Sequence, residues 1–141
     1  MIIIKSPEEI ELMRESGNVT KYILEELENF IKPGMSTKDV DRFVESTIRK
    51  HNMIPTFKGY GGFPASACVS INEEVVHGIP DKKRIIQEGD IVSVDVGSTH
   101  KGYVSDAART YGIGQISPVA QKIIEAAKAS FFAGLEYCKV G

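Results

Sequence analysis

Two aspartates and one histidine in the middle of the chain are the side chains best suited to chemistry. His77 lies in the run NEEVVHGIP at residues 72–80, Asp95 lies between two valines, and Asp106 follows in the run YVSDAARTY. A carboxylate inside such apolar or small-residue segments is costly unless it is paired or bound to a cation. The pattern therefore predicts a metal or catalytic site that combines an imidazole with two carboxylates.

A β-hairpin is predicted to bring the two aspartates together. Residues 91–96 and 103–111 have the composition and alternation of strands. If the hairpin is symmetric about residues 100–101, Asp95 faces Asp106 directly, with Cβ atoms roughly 5 Å apart. Like charges at that separation repel each other, so we expect the pair either to share a proton or to bind a metal ion.

The register of this hairpin decides whether the site exists. In the symmetric register Ser93 faces Ala108, and these small side chains leave room beside the carboxylates. A bulged turn at Lys101 and Gly102 is the alternative, because a slip of one residue would send Asp106 to the opposite face of the sheet. The residues expected on the other, packed face are Val92, Val94 and Val96.

Three helices are predicted around the hairpin, and each begins at a serine that caps its first turn. Ser6 and Ser36 are followed by an acidic residue at the spacing of a capping box, and Ser117 precedes a proline. The apolar residues expected on the core side of the third helix are Val119, Ile123, Ile124, Ala127, Phe131 and Leu135.

Two more short strands are predicted at residues 67–72 and 74–77. Together the elements predict the α+β class, with an antiparallel sheet and helices packed on one face. Because the 141 residues contain no linker and no low-complexity tract, we expect a single domain.

A glycine-rich loop with interleaved aromatic residues is predicted at residues 55–64. It lacks the spacing of a phosphate-binding loop and does not lead directly into a helix. Glycines with aromatic neighbours are typical of the wall of an apolar pocket, which is the role we expect for this segment.

The composition excludes several classes of function. A net charge of −2 gives no basic surface for nucleic acid or an anionic membrane, and no apolar run approaches bilayer length. Cys68 and Cys138 lack the spacing of a disulfide framework and suit a reducing compartment, so we expect a cytoplasmic protein.

The chain resembles the type I methionine aminopeptidases, which are metallohydrolases with the pita-bread fold. The resemblance is carried by residues 63–72, 76–80 and 89–92 and by the two aspartates, in matching order and spacing. It extends from Ser6 to the last residue and covers the first half of the family's catalytic domain. The fold implied is the first half of a pseudo-twofold pita-bread domain, with residues 1–141 as its N-terminal portion.

The resemblance implies a site that holds two divalent metal ions, which would be Co, Mn, Fe or Zn. Asp95 would bind one ion with both oxygens, and Asp106 would bridge the two. The ions would polarise the scissile carbonyl and activate a water molecule. The family's other ligands, a histidine and two glutamates, have no counterpart in this sequence, so we expect the 141-residue chain alone to be inactive.

The resemblance also implies how a substrate is held. His77 would hydrogen-bond the peptide group near the cleaved bond, and the alternative is a turn histidine whose ring bonds a backbone carbonyl. The methionine side chain would occupy a pocket lined by Phe57, Tyr60, Phe63 and Cys68, whose apolar and polarizable walls suit a thioether. For Phe57 and Cys68, an ordinary place in the core is the alternative.

Departures from the family pattern are expected at the rim of this site. Val104 and Ser105 stand where bacterial members usually have histidine and glycine, and Gly61 stands where many have histidine, which leaves the substrate preference open. His100, at the tip of the hairpin, is expected to be exposed and too far from Asp95 to share a metal ion.

The activity implied is removal of the N-terminal methionine from nascent or newly made proteins. The expected partners are polypeptide N-termini, including those at the ribosome, and neither nucleic acid nor a membrane. An unpaired sheet edge and an uncovered apolar face along the last helix would favour self-association of the 141-residue chain.

Two alternatives share the same fold. One is a non-catalytic protein that binds peptide N-termini, and intact Asp95, Asp106 and His77 argue against it. The other is a proline-directed peptidase, and the run at residues 72–80 argues against that activity.

Overall fold

The computed structural model describes residues 2–141 and contains three α-helices and a four-stranded antiparallel sheet. In chain order the elements are α1 (Pro7–Phe30), α2 (Thr37–Lys50), β1 (Ile54–Pro55), a 3-10 turn (Tyr60–Gly62), β2 (Ala67–Ile71), β3 (Ile91–His100), β4 (Tyr103–Gly112) and α3 (Pro118–Leu135). The helices α1 and α2 pack against the sheet, and the predicted α+β class is confirmed. Within residues 2–141, no helix is both long and apolar enough to cross a membrane.

Both predicted capping boxes form, and they fix where α1 and α2 begin. The Ser6 hydroxyl accepts a hydrogen bond from the Glu9 N–H (3.2 Å), and the Glu9 carboxylate accepts one from the Ser6 N–H (2.7 Å). Ser36 and Asp39 repeat this arrangement in α2, at 3.2 and 3.0 Å. Such caps give partners to backbone donors that the first helical turn leaves unpaired.

The central strand of the sheet is β3. Its whole length pairs with β4 along one edge, while β1 and β2 share the other edge, with β2 nearer the start of β3. The outer edge of β4 pairs with no strand in the part of the chain that the structure describes. Such an edge presents backbone donors and acceptors that can pair with another strand.

Burial on one face of β3 fixes the direction of its side chains. Val92, Val94 and Val96 are fully buried in a core that also contains apolar residues of α1 and α2, as predicted. Burying one valine stabilises the fold by roughly 1.5–3 kcal/mol, so turning the strand over would cost several times that amount. Ser93 and Asp95 therefore point to the opposite, open face.

The prediction of a strand at residues 74–77 is wrong. The Val69 N–H donates to the Gly78 carbonyl (2.9 Å), so the chain does return beside β2, but it returns through a turn. Val76 and His77 both have left-handed backbones, with φ of 45° and 50°. This conformation cannot continue a strand, and valine rarely adopts it, so the apolar pattern gave no sign of the turn.

The helix α3 forms where predicted, but its apolar side does not face a core. No α3 residue is buried by the rest of residues 2–141, and Val119, Phe131 and Phe132 are 67, 65 and 55% exposed. The expected core packing is therefore wrong, because β4 is the main element that α3 contacts. The uncovered apolar face that was also expected along this helix is present. A contiguous apolar strip of this kind is typical of an interaction surface.

We predict that the 141-residue chain self-associates through α3 and the free edge of β4. Sedimentation velocity should give a coefficient that rises across a concentration series. Replacing Phe131 and Phe132 by serine should weaken the association, whereas Tyr22→Ser, which removes an exposed ring from α1, should not. A stable monomer that unfolds cooperatively at every concentration would contradict this prediction.

Candidate active site

A two-residue turn connects β3 to β4. His100 pairs with Tyr103, and the backbones of Lys101 and Gly102 are left-handed, with φ of 47° and 88°. Two successive left-handed residues define the type I′ turn, whose twist matches that of a hairpin. The strand predicted to end at residue 96 therefore continues to His100, directly before the turn.

This turn changes the register from the predicted one. Asp95 lies opposite Ala108 and Asp106 lies opposite Gly97, so the predicted direct pairing of the two aspartates is wrong. They are instead diagonal neighbours, which lie about 7 Å apart in a typical antiparallel pair. The shift is two residues along β4, and side chains alternate with a period of two, so both carboxylates still project from one face.

The residues around the two carboxylates are small, but their pairs differ from those predicted. Ser93 faces Thr110, with the two hydroxyls 2.8 Å apart, rather than the predicted alanine. Gly97, which faces Asp106, leaves a space that the Phe57 ring occupies, since a Cβ atom at position 97 would lie 2.6 Å from Phe57 Cε1. The absence of a side chain at Gly97 therefore lets this ring lie beside the carboxylates.

Asp95 is the less exposed of the two carboxylates and has a raised pKa. Its Oδ1 atom is buried and has no hydrogen-bond partner among residues 2–141. Burial, followed by the negative charge of Asp106, raises the pKa of Asp95 to about 6, while His77 and the Val96 N–H partly oppose the shift. A cation bound between the two carboxylates would relieve this unfavourable electrostatic arrangement.

The two carboxylates are suitable ligands for a divalent cation, but they are too few to complete its site. Carboxylate oxygens are suitable donors for divalent ions such as Mn, Fe and Zn. Two residues are fewer than the three or more protein ligands of a typical zinc site. In the described part of the chain, no group of three His, Cys, Asp or Glu side chains is placed to hold an ion. Asp95 and Asp106 therefore provide part of a metal site.

The turn that carries His77 is strained. Val76 and His77 have left-handed backbones, which cost roughly 1–3 kcal/mol each in residues other than glycine. The Gly78 N–H donates to the Ser70 hydroxyl (3.0 Å) and the Gly78 carbonyl accepts from the Val69 N–H (2.9 Å), so both contacts hold the turn on β2. The His77 side chain is exposed, and it borders a cavity on the open face of the sheet.

This cavity, of about 760 Å³, brings the predicted site residues together. It is lined by all seven of them: Phe57, Tyr60, Phe63, Cys68, His77, Asp95 and Asp106. Thr56 and Pro64 line it as well, in the segment at residues 55–64 that was expected to form a pocket wall. Ile79 was missed, although its position two residues after His77 could have indicated it. A larger open groove, of about 1400 Å³, shares both aspartates and runs along β4 to α3. The individual roles of these residues stay predictions.

Cys68 contributes an uncharged wall to the cavity. It lies opposite Asp95 across the β2–β3 pair and is buried. Burial, and then the charges of Asp95 and Asp106, raise the pKa of the Cys68 thiol to about 11, so the thiol stays protonated at neutral pH. A protonated thiol behaves as a small polarizable hydrophobe and is a poor nucleophile.

Two expectations are wrong: that His100 is exposed and that Ser105 lies at the rim of the site. Alternate residues of a strand point to opposite faces, and both of these side chains point to the face that packs on α1. The His100 side chain is only 17% exposed, and its Nε2 lies 2.8 Å from a carboxylate oxygen of Glu15 on α1. The Ser105 hydroxyl is 2.6 Å from the Thr20 hydroxyl and 3.0 Å from that of Ser16. Both residues therefore join the hairpin to α1 on the face away from the cavity.

The raised pKa of Asp95 predicts how the metal-free chain responds to pH. The pKa of Asp95 is about 6 in the folded chain, whereas an aspartate in the unfolded chain has an ordinary pKa of 3.8. Because the folded chain therefore binds a proton at Asp95 more tightly, this group stabilises the fold at low pH. That contribution is lost as the pH rises through about 6. Asp95→Asn should therefore raise the free energy of unfolding at pH 8 and change it little at pH 4.

Urea unfolding in the presence of a chelator measures the free energy of unfolding at pH 4 and at pH 8. Glu26→Gln, at an exposed position of α1, is the control and should change neither. A larger stabilisation by Asp95→Asn at pH 4 than at pH 8 would contradict the electrostatic account.

Comparison with known proteins gives this site a family context. The model of metallopeptidase family M24 matches residues 11–141. The chain is 56% identical to methionine aminopeptidase from Clostridium acetobutylicum and 48% identical to methionine aminopeptidase 1 from Bacillus subtilis, over all 141 residues and 56% of each relative. A crystal structure of methionine aminopeptidase from Thermotoga maritima matches the whole chain with a TM-score of 0.97 and 40% identity, and the chain covers 57% of it.

The chain thus spans little more than half the length of the curated relatives it matches. The expected resemblance to methionine aminopeptidases and to their pita-bread fold is confirmed by these matches. Since the family match includes both aspartates, His77 and nearly the whole sequence, the chain belongs to metallopeptidase family M24.

Proposed function

We propose that this chain forms part of a metal-dependent aminopeptidase that removes the N-terminal methionine from nascent or newly made proteins. The observation that carries the proposal is the single cavity in which two carboxylates meet an imidazole and an aromatic loop. The carboxylates would bind the metal, the imidazole would hydrogen-bond the peptide group, and the aromatic wall would contact an apolar side chain. The relatives from C. acetobutylicum and B. subtilis are named as methionine aminopeptidases, which supports this combination.

The wall of the cavity suits a long, flexible and apolar side chain. Phe57 lies against Gly97, and Tyr60, Phe63 and the protonated Cys68 thiol line the remaining wall. A thioether is apolar and polarizable, and it makes favourable contacts with aromatic rings. Methionine is therefore the proposed first residue of the substrate.

Asp95 and Asp106 are the residues of this chain that would hold the metal. We propose two divalent ions, which are Co, Mn, Fe or Zn, on the basis of the family resemblance. Bound divalent ions polarise a carbonyl oxygen and lower the pKa of water. The Oδ1 atom of Asp95, which is buried and has no hydrogen-bond partner within the described residues, supports this assignment, since a cation would satisfy it. Because the described residues supply only these two ligands, we propose that the 141-residue chain is inactive by itself.

His77 is proposed to hold the substrate rather than the metal. Its exposed ring borders both the cavity and the larger groove along β4. A neutral imidazole donates a hydrogen bond from one nitrogen and accepts one at the other, so it can hold a peptide group beside the carboxylates. The strained turn fixes the His77 backbone, and with it the point from which the ring projects. Backbone strain of this kind is concentrated at functional sites.

The proposed partners are the N-termini of new polypeptides in the cytoplasm, including those at the ribosome. The net charge of −2 offers no general attraction for nucleic acid or an anionic membrane, and neither is proposed as a partner.

The function is tested with the protein that carries this chain at its natural length. The protein is freed of metal and reloaded separately with Co, Mn, Fe or Zn, and peptides that begin with Met-Ala, Leu-Ala or Ala-Pro are offered. Metal-dependent release of methionine is the expected result. Binding without cleavage would favour the non-catalytic alternative, and cleavage restricted to the proline peptide would favour the proline-directed one, so either result would contradict the proposal.

Substitutions at Asp106 and His77 should separate metal binding from substrate binding. Asp106→Asn keeps the side-chain volume and removes the charge, so it should lose bound metal and lower methionine release by roughly a hundredfold or more. His77→Ala should slow release by roughly tenfold to a hundredfold and leave the metal content unchanged. Metal analysis of each purified variant is paired with its rate. Loss of metal in His77→Ala, or full activity in Asp106→Asn, would show that the roles are misassigned.

A methyl group at Gly97 should alter the pocket without removing a ligand. Gly97→Ala should displace the Phe57 ring, because the new Cβ atom would lie 2.6 Å from Cε1, and should raise KM for methionine peptides with metal content unchanged. Gly17→Ala on α1 is the matched control, since no atom of residues 2–141 beyond the helix's own backbone lies within 4 Å of its added methyl group. The control should leave KM unchanged and stabilise the fold by about 0.5–1 kcal/mol. Equal effects of the two variants on KM would contradict this prediction.

A further inference from the structure

The helix α2 carries a fully buried carboxylate that does not belong to the aspartate pair described above. Asp41 is 0% exposed. Its Oδ1 atom accepts hydrogen bonds from the backbone N–H groups of Ser66 (2.7 Å) and Ala67 (3.2 Å), and its Oδ2 atom accepts one from Lys38 Nζ (2.6 Å). A buried charge is costly unless such donors satisfy it, so the position of Ser66 is coupled to that of Asp41.

A second carboxylate lies one helical turn further along the same face of α2. The Oε2 atom of Glu45 accepts a hydrogen bond from Lys58 Nζ (2.6 Å), and its Oε1 atom accepts one from Arg49 Nε (3.0 Å). The hydrogen bond from Lys58 is the main reason why the pKa of Glu45 is below its ordinary value. Glu45 is therefore held in its charged form against Lys58.

The partners of these two carboxylates stand near the two ends of one segment, residues 57–66, which we call the pocket loop. Lys58 is near its start and Ser66 is at its end. Between them the loop is closed by its own hydrogen bonds, from the Gly59 N–H to the Phe63 carbonyl (2.8 Å) and from the Phe63 N–H to the Tyr60 carbonyl (2.9 Å). The loop is thus a compact unit that α2 holds at both ends.

Glycines make the two attachments necessary. Gly59, Gly61 and Gly62 have positive φ values, and glycine has little conformational preference of its own. The loop nevertheless supplies Phe57, Tyr60 and Phe63 to the wall of the cavity. A wall that discriminates between side chains of similar volume must also keep its position, and the loop's internal hydrogen bonds do not fix it to the rest of the fold.

We propose that Asp41 and Glu45 are positioning residues that hold the pocket loop at both ends and so determine which side chains the cavity accepts. The proposal rests on the function proposed above, because it concerns the same cavity. Neither carboxylate lines that cavity, so each acts through the loop and not on the ligand.

Three sets of variants test the proposal. Asp41→Ala removes both acceptors, whereas Asp41→Asn keeps an oxygen for the two backbone N–H groups and should restore most of the wild-type behaviour. Glu45→Ala, Lys58→Ala and the double variant form a cycle on the second attachment. Glu11→Gln, which breaks an exposed ion pair with Arg14 on α1 far along the sequence from the loop, is the control.

Two measurements are made on each variant, and neither requires catalysis. Hydrogen exchange reports the opening of residues 57–66, and binding of L-methioninamide and of L-leucinamide gives a ratio of dissociation constants. Asp41→Ala and Glu45→Ala should speed exchange in the loop by about tenfold and reduce the preference for the methionine probe by roughly fivefold or more. The Glu45–Lys58 double variant should match either single variant, because both remove the same contact.

The outcomes distinguish this proposal from the proposed function. Loop exchange or probe preference unchanged in both Asp41→Ala and Glu45→Ala would overturn it, as would failure of the wild-type protein to bind either probe. If Asp41→Ala does not fold, the exchange rates and probe preferences of the Glu45–Lys58 cycle test the proposal by themselves. Selective probe binding without methionine release would refute the proposed enzyme activity and leave the role of α2 intact.

Discussion

The alternation of side chains along β3 is the constraint on which the rest of the site depends. Val92, Val94 and Val96 are buried against the helices, and turning the strand over would expose them while placing Asp95 beneath α1. Because the type I′ turn fixes the pairing of β4 with β3, Asp106 falls on the same open face. Core packing on one side of the sheet therefore holds two like charges together on the other, and a bound cation is the natural means of offsetting their repulsion.

Each segment around the two aspartates is held in place by a separate contact. The left-handed backbone at His77 is held by β2, the ring of Phe57 occupies the space that Gly97 leaves, and the pocket loop is attached to α2 through Asp41 and Glu45. Most of these restraints lie behind or beside the open face, which itself carries the groups that would meet a ligand. A site whose parts are supported from outside in this way can stay pre-organised.

Local signals in the sequence predicted much of the fold, and non-local geometry accounts for what they missed. The serine caps and the valine face depend on spacing within one segment, so both were visible from sequence. The two aspartates were correctly placed on one face because that requires only the parity of the register, whereas their exact pairing depends on the turn at Lys101, which the pattern left open. The left-handed backbone at Val76 has no sequence signature, because it depends on what packs nearby. The exposed apolar side of α3 was expected from the resemblance to a longer domain, although the helical spacing alone had suggested core packing.

The central claim is that Asp95 and Asp106 together hold a divalent cation on the open face, and paramagnetic broadening by Mn²⁺ tests it most directly. In spectra of the ¹⁵N-labelled chain, substoichiometric Mn²⁺ should broaden the amide signals next to Asp95 and Asp106 first, and it should also reach those of Cys68 and His77. The double variant Asp95→Asn with Asp106→Asn should lose this pattern. Broadening that centres on other carboxylates, such as Glu73 and Asp81, or that survives in the double variant, would contradict the account.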